Sequence, residues 1–542
     1  MPGPSGFRGT YRIDDDARAA YSEAAGIGQV IPIAVAVPTD IDDLVTLVRW
    51  ASDTRTPLVP RGSGSSMPGG AIGSGVIVDL SRWNQIGMVD VTRRRVRVGS
   101  GATRGAVDAA ARAHGLRFPV DPSSGAFCTV GGMASTNAAG AHSLKFGSTR
   151  RWVNAIDCVF ADGTRASISR GAPAPRGIPA IDRFLALATT LVPAESATPS
   201  IHRGVLKESS GYAIANFASS GEIVDLLVGS EGTLAFFTEL ELGLIPVAGA
   251  TSSLLSAFAS LEDAVVAAGR ARDAGAVACE LLDRTFLDVA ASGGASDLPA
   301  DTEAALLVEI EGADPEAAVE SARAVERAFH EAGATVTRLA LDPDQETEIW
   351  ELRHAASPIL ARLDARLRSM QFVEDCAVPP ARLPAYVRGV RRILAEHETR
   401  GVIFGHAGDS HVHVNPLVDV GRPDWRGRVE RILLEVMTLA ASLGGTLAGE
   451  HGDGRLRTPL LANVWSATAI ERFGTVKRAF DPDDILNPGV KTALPGQRPL
   501  GEIKYDPALT PLSPRARAVL DRVERDGAYS RFRLELLADV AK

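Results

Sequence analysis

Three small-residue segments, far apart in the chain, constrain what this sequence can fold into more than any other feature. They are Pro60-Arg61-Gly62-Ser63-Gly64-Ser65-Ser66-Met67-Pro68-Gly69-Gly70, the stretch 121–140 with two glycine-rich runs, and Gly229-Ser230-Glu231-Gly232-Thr233-Leu234. Successive backbone N–H groups in such loops can converge on an anion, and glycines let main chain approach a ligand closely. In the second segment Ser135, Thr136 and Asn137 add side-chain donors among small residues on which a flat ring can lie. Three loops of this kind imply an extended ligand rather than a lone phosphate. Residues 97–105 offer a competing fingerprint, a strand leading through a GxGxxxG turn into a helix. The acidic residue expected about 20 positions on, Asp121, lies between Pro119 and Pro122 instead of ending a second strand, which disfavours a nicotinamide site.

Composition narrows the field further. A chain of 542 residues, 45% hydrophobic and 23% charged, is long enough for three or four domains and is not disordered as a whole. Its 57 basic and 66 acidic residues leave a net charge of −9, which argues against a nucleic-acid partner because phosphate binding needs a clustered basic face. No apolar run reaches the roughly 20 residues of a membrane helix, and the first residues lack the basic-then-apolar order of a signal peptide. No integral membrane segment is expected, and the expected location is cytoplasmic. Cys128, Cys158, Cys279 and Cys376 are scattered and form no CxxC pair, which excludes a disulfide framework and a self-contained iron-sulfur site.

The texture of the chain divides it. After an N-terminal segment, 1–27, residues 28–246 mix short β-rich runs, among them 29–37, 57–62, 75–80, 94–101 and 224–228, with helical stretches such as 40–54; a split near 100 is expected. Long Ala/Glu/Arg helices alternate with strands across 247–445, the pattern of helices packed on one face of an antiparallel sheet. Residues 446–495 return to glycine motifs, and 496–542 read as a linker followed by a helical tail.

Of ten histidines, four fall between 406 and 451. Residues 401–415 read as a hairpin with a turn at 407–410, which puts His406 opposite His411 with His413 and Asn415 on the same face, while Val412 and Val414 point into a core. Downstream, Glu450 and His451 stand between glycines. Two imidazoles and a carboxylate form a divalent-metal set that leaves positions open for substrate. A hydrogen-bonded histidine ladder is the bland alternative.

These motifs resemble the flavin loops of the vanillyl-alcohol-oxidase/p-cresol-methylhydroxylase superfamily, in its D-lactate and D-2-hydroxyglutarate dehydrogenase branch, over residues 21–491. The resemblance implies an α+β fold: two FAD-binding subdomains, an α+β cap with an antiparallel sheet, and a C-terminal helical segment. It implies that Pro60, Arg61, Gly62, Ser63, Gly64, Ser65 and Ser66 hold the pyrophosphate. Pro122, Ser123 and Ser124 with Gly131, Gly132, Ser135, Thr136, Asn137 and Gly140 would line the isoalloxazine and phosphates, and the third loop, with Glu231 and Gly232, the adenosine half. Ala235 stands where a glycine is common. Ser65-Ser66 occupy the place of the histidine that attaches flavin in some relatives, so non-covalent FAD is expected, with His142 a polar pocket residue.

The pattern GHxGDxxxHxN followed by EHG implies His406, His413 and Glu450 as ligands of a divalent metal, zinc by expectation with manganese an alternative. It implies Asn415 as a substrate contact and His451 as the base; His411 stays open between fourth ligand, supporting group and substrate contact. The segment 350–353 resembles the family too, and Arg353 would clamp a carboxylate, unless it forms a helix-surface salt bridge. Val373 and Glu374 stand where some relatives carry a lysine ahead of a strand end at Asp375, leaving three-carbon and five-carbon substrates both open.

The implied reaction is oxidation of a D-2-hydroxy acid to the 2-oxo acid, with metal-assisted deprotonation of the hydroxyl by His451 and hydride transfer to FAD. Because the 493–542 extension contains no cysteine, a separate iron-sulfur or electron-transfer partner is expected, with the tail helix either a docking element or folded back on its own domain. Two other readings are a metal-dependent hydrolase built on His406, His411, His413 and Asp409, and a non-catalytic flavin electron-transfer module.

Overall fold

Asp40 starts the first long helix by accepting a hydrogen bond from the Asp43 N–H, and Leu44, Leu47, Val48 and Ala51 then fall on one buried face of Ile41–Thr54. That face covers a four-stranded mixed sheet in the order Thr10–Arg12, Ala34–Val37, Val76–Asp79, Leu58–Arg61, the last three strands parallel. The computed structural model describes residues 3–191, 202, 204–292, 298–361 and 366–540, and the backbone alone at 343 and 354–361. The strand expected over 29–37 is confined to Ala34–Val37, since Pro32 lacks the N–H a ladder needs. Leu58–Arg61 hands the chain directly to the first glycine loop.

A second, antiparallel sheet follows, ordered Arg95–Gly99, Phe236–Gly243, Val153–Val159, Arg165–Ser169. Of residues 224–228, expected as a strand, 224–227 lie in a short helix, Ile223–Leu227, and Val228 follows as its C-cap, with every residue buried. An apolar run buried on all sides carries no period by which strand and helix can be told apart.

The third sheet has seven antiparallel strands: Ala334–Leu339, Ala250–Phe258, Ala304–Gly312, Ala278–Asp283, Arg400–His406, His411–Asp419 and Leu367–Ser369 in spatial order. One face, through Leu254, Val308, Leu281, Ile403 and Val412, packs on the helices Leu261–Asp273, Pro315–Glu331, Leu383–Glu396 and Trp425–Ser442. The opposite face is only partly open. Two further helices, Arg284–Ser292 and Pro343–Ala361, cover Leu255, Leu282, Leu307 and Val402, because strand alternation there is apolar on both sides. The uncovered remainder of that face carries the polar residues of the candidate site.

The chain then returns to the second sheet, where Phe473, Val476 and Phe480 of helix Ala467–Phe480 enter the core. Of the two readings of the tail, the structure has it folded back: Val519, Val523, Leu536 and Leu537, from helices Pro514–Asp526 and Arg533–Val540, pack on Ala17, Tyr21, Val35, Val59 and Ile77. Among the described residues, no helix is long and apolar enough to cross a membrane.

Gly405 is the tightest point of the hairpin. Its φ is 147°, and a Cβ there would stand 2.7 Å from the His411 oxygen and 2.8 Å from the Val412 Cα. Gly405→Ala is expected to cost about 1–3 kcal/mol in thermal or chemical denaturation by overpacking. The control Gly269→Ala sits in helix Leu261–Asp273 with open space around it, and is expected to be neutral or stabilising by about 0.5–1 kcal/mol.

Candidate active site

A cavity of about 1010 Å³ lies between the glycine loops and the open face of the seven-stranded sheet. Residues 60–66, Pro122, Ser123, Ser124, Gly131, Gly132, Ser135, Thr136, Gly140, Glu231 and Gly232 all line it. Asn137 does not. It sits buried at φ 54° as the C-cap of helix Val130–Thr136, and its side-chain oxygen accepts a hydrogen bond from the Arg150 N–H at 2.9 Å. Several glycines here serve packing between loops more than clearance for a ligand: a Cβ on Gly62 would strike Thr129, and one on Gly131 would stand 2.7 Å from the Ser100 Cβ. Glu231 is tied inward, accepting from the Asp453 and Gly454 N–H groups at 2.7 and 3.0 Å and pairing with Lys491. His142 also faces the cavity, held between Asp121 and Glu309. Burial alone would lower its pKa, but the two carboxylates outweigh that and push it up to about 10.

Strand register builds the opposite wall. His406 pairs with His411 and Phe404 with His413 across the hairpin, while Glu280 of the neighbouring strand pairs with His406. Directly opposed residues share a face, so Glu280, His406, His411, His413 and Asn415 all project from the same side of the sheet. His406 Nδ1 lies 2.5 Å from Glu280, and His413 Nδ1 donates to the Glu374 carbonyl at 2.8 Å. Both outer nitrogens are thereby engaged, and both Nε2 atoms turn inward. They stand 3.4 Å apart, and each is 3.4 Å from Glu450 Oε1. Three atoms at tetrahedral positions about 2.0–2.1 Å from an ion would be spaced by about 3.4 Å. His406, His413 and Glu450 therefore have the spacing of a ligand set.

The second oxygen of Glu450 is engaged by buried Lys207 at 2.6 Å, which leaves Oε1 facing the two imidazoles. Burial would raise the Glu450 pKa, but Lys207 and His406 hold the carboxylate well below its ordinary range. At His406 burial acts downward, and Glu280 and Glu450 prevail, pushing its pKa up to about 9. His411, fully buried, donates from Nε2 to Asp375 at 3.0 Å and has its pKa pushed down to about 3 by desolvation.

Asp375 organises the return loop. It accepts from the Glu450 and His451 N–H groups at 3.2 and 3.0 Å and pairs with Arg457 at 3.2 Å. The strand expected to end at Asp375 is absent there, and residues 372–375 form bends and turns. The backbone there serves as an acceptor for the loop, Asp375 O taking the Gly449 N–H and Glu374 O the His413 ring. His451 stacks on His413 with 5.5 Å between ring centres, its Nδ1 3.4 Å from both Glu374 and Asp375. Desolvation would lower the His451 pKa, yet Asp375 and its neighbours raise it. Arg353 lines the cavity, held by Nε to Glu280 at 2.9 Å and over the Phe404 ring at 4.5 Å. The salt bridge allowed for in the sequence reading thus exists, but inside the cavity. The Asn415 side chain lines the same wall and makes no hydrogen bond among the described residues.

Sequence reasoning missed Glu280, Lys207 and Arg457 as parts of this assembly. Glu280 carried a signal, an acid inside the apolar strand Ala278–Asp283; Lys207 carried none, because only folding brings it to Glu450.

Residues 32–169 match the FAD binding domain family, and residues 249–490 match the family described as FAD linked oxidases, C-terminal domain. The two regions together span more than two thirds of the chain, and both contribute residues to the cavity. The chain belongs to the FAD-linked oxidase family. Within it, the glycolate oxidase subunit GlcD of Escherichia coli (strain K12) is 29% identical over 462 residues, covering 84% of this chain and 83% of that protein. The D-lactate dehydrogenase of Archaeoglobus fulgidus is 28% identical, covering 84% of this chain and 90% of its own. The D-2-hydroxyglutarate dehydrogenase of Pseudomonas putida is 29% identical over 90% of this chain, which spans 50% of that protein. Among solved structures, 4-ethylphenol oxidase from Gulosibacter chungangensis shares the fold, with a TM-score of 0.64 at 16% identity over 90% of this chain and 94% of its own. This FAD-linked oxidase fold is the mixed α+β architecture described above.

Arg457 is fully buried against Glu374 and Asp375. Arg457→Met leaves two carboxylates without their counter-ion, and an expected loss of about 3–5 kcal/mol in denaturant unfolding checks the assignment.

Proposed function

We propose that this chain oxidises a D-2-hydroxy acid, of D-lactate or D-2-hydroxyglutarate type, to the 2-oxo acid, with non-covalent FAD and a divalent metal ion. The observation that carries the reading is the convergence of His406 Nε2, His413 Nε2 and Glu450 Oε1 at 3.4 Å from one another, in the cavity that the flavin loops also line. Relatives named as hydroxy-acid dehydrogenases and as a glycolate oxidase subunit support the same class.

The residues fit both groups. Small-residue loops line a cavity of dinucleotide size, and the two ligand imidazoles have their outer nitrogens fixed by Glu280 and the Glu374 carbonyl. When bound, flavin supplies a two-electron acceptor, and zinc or manganese supplies Lewis acidity at the substrate hydroxyl. His451 takes the hydroxyl proton on Nε2, its Nδ1 being oriented by Glu374 and Asp375. Asn415 donates to the substrate. Arg353, anchored through Nε, offers its terminal amino groups to the carboxylate. All four cysteines are free and buried, so none serves as an electron relay within these residues, and we assign re-oxidation to an electron-transfer partner.

The test is anaerobic mixing with glycolate and a panel of D- and L-2-hydroxy acids, followed by flavin absorbance. Bleaching by D acids, its loss on chelation and its return with zinc or manganese are expected. His451→Ala should slow the bleaching by about 10²–10⁴-fold. Bleaching by L acids only, indifference to chelation, or an unchanged rate in the variant would contradict the reading.

A further inference from the structure

The tail lies outside both family-matched regions, yet it reaches the flavin loops. Tyr529 stacks on Phe127, a cavity-lining residue, at 5.0 Å between ring centres. Arg533, only 3% exposed, donates to the carbonyl of Ser63 in the first glycine loop at 3.3 Å, and its Nε makes no hydrogen bond among the described residues. Arg61, likewise 3% exposed, donates to the carbonyls of Tyr21, Glu23 and Ala71.

Neither guanidinium has a carboxylate within ion-pair distance among the described residues. Two acids bear on the pair from farther off, each shared with another group: Asp79, which accepts the Tyr21 hydroxyl at 2.5 Å, and Glu23, which pairs with Arg517 at 2.9 Å. Desolvation, aided by their mutual repulsion, pushes the Arg533 pKa down to about 10, and desolvation lowers that of Arg61. Two buried cations that repel each other, with no carboxylate in direct contact, are costly unless an anion neutralises them. The loop they support, 62–66, is the glycine loop whose N–H groups suit a phosphate.

We propose that Arg533, working with Arg61, supplies the positive charge behind the flavin diphosphate, so that the C-terminal tail positions and retains the cofactor. The inference rests on the flavin assignment and is independent of the substrate. Arg533 acts through the Ser63 loop, as a positioning residue.

The test compares FAD dissociation constants and thermal unfolding, with and without FAD, in full-length wild type, Arg533→Lys, Arg533→Gln and Arg533→Met. Loss of charge in the Gln and Met variants is expected to weaken FAD binding by about tenfold or more, and Lys is expected to stay within about threefold. Without FAD, Gln and Met should melt at or above the wild-type temperature, since removing an uncompensated buried charge relieves repulsion. A Lys variant as weak as Gln, variants that all bind FAD like wild type, or FAD-free variants that melt lower would overturn the proposal, the last by showing a packing role. Wild-type protein that takes up no FAD would overturn it together with the flavin assignment.

Discussion

The buried carboxylate of Asp375 is the interaction on which the site depends. Its two oxygens accept from the His411 ring, the Glu450 and His451 N–H groups and the Arg457 guanidinium, so one side chain holds together the hairpin and the return loop. A charge in that position is tolerated only because every lone pair is used and a cation stands beside it. Burial would raise the Asp375 pKa; His451, Arg457 and His411 reverse the effect and keep the group ionised. This anchor fixes Glu450 and His451, which lie among glycines of the return loop, relative to the histidines of the sheet.

Around Asp375 the site follows one rule: the sheet places His406 and His413, the return loop places Glu450, and neighbouring groups orient all three. The period of two along Arg400–His406 and His411–Asp419 brings three imidazoles to one face, and the adjoining strand contributes Glu280 at the level of His406. Glu280 orients His406, the Glu374 carbonyl orients His413, and Lys207 occupies the outer oxygen of Glu450. The carboxylates of this wall are thus neutralised one at a time, which lets several charges persist although Glu280, Glu374, Asp375 and Glu450 are all buried. On the other side of the cavity the glycine loops pack on each other so closely that Gly62 and Gly131 are required by neighbouring protein atoms.

Much of this was legible in the chain because it depends on short-range periodicity. The four-residue turn after His406 fixes which histidines oppose each other, and the observed pairing of His406 with His411 follows from that length. The α+β character and the antiparallel cap were visible in the alternation of long helices with strands. What escaped was non-local. Residues 224–228 gave no period because every side chain is buried, and Asn137 looked like a ligand donor although its positive φ suits it to cap a helix. Lys207, from a loop, and Arg457, at the end of the short helix Gly454–Arg457, reach the site only through tertiary folding, and nothing in the linear text of the tail shows Arg533 lying beside Ser63.

The central claim, a metal centre and a flavin sharing one cavity, is tested most directly by crystals of the flavin-loaded protein containing zinc or manganese, measured at the absorption edge of the ion. The account predicts one anomalous peak within bonding distance, about 2.0–2.3 Å, of His406 Nε2, His413 Nε2 and Glu450 Oε1. A peak among Asp375, Glu450 and His451 that leaves out His406, or no peak in the cavity at all, would contradict it.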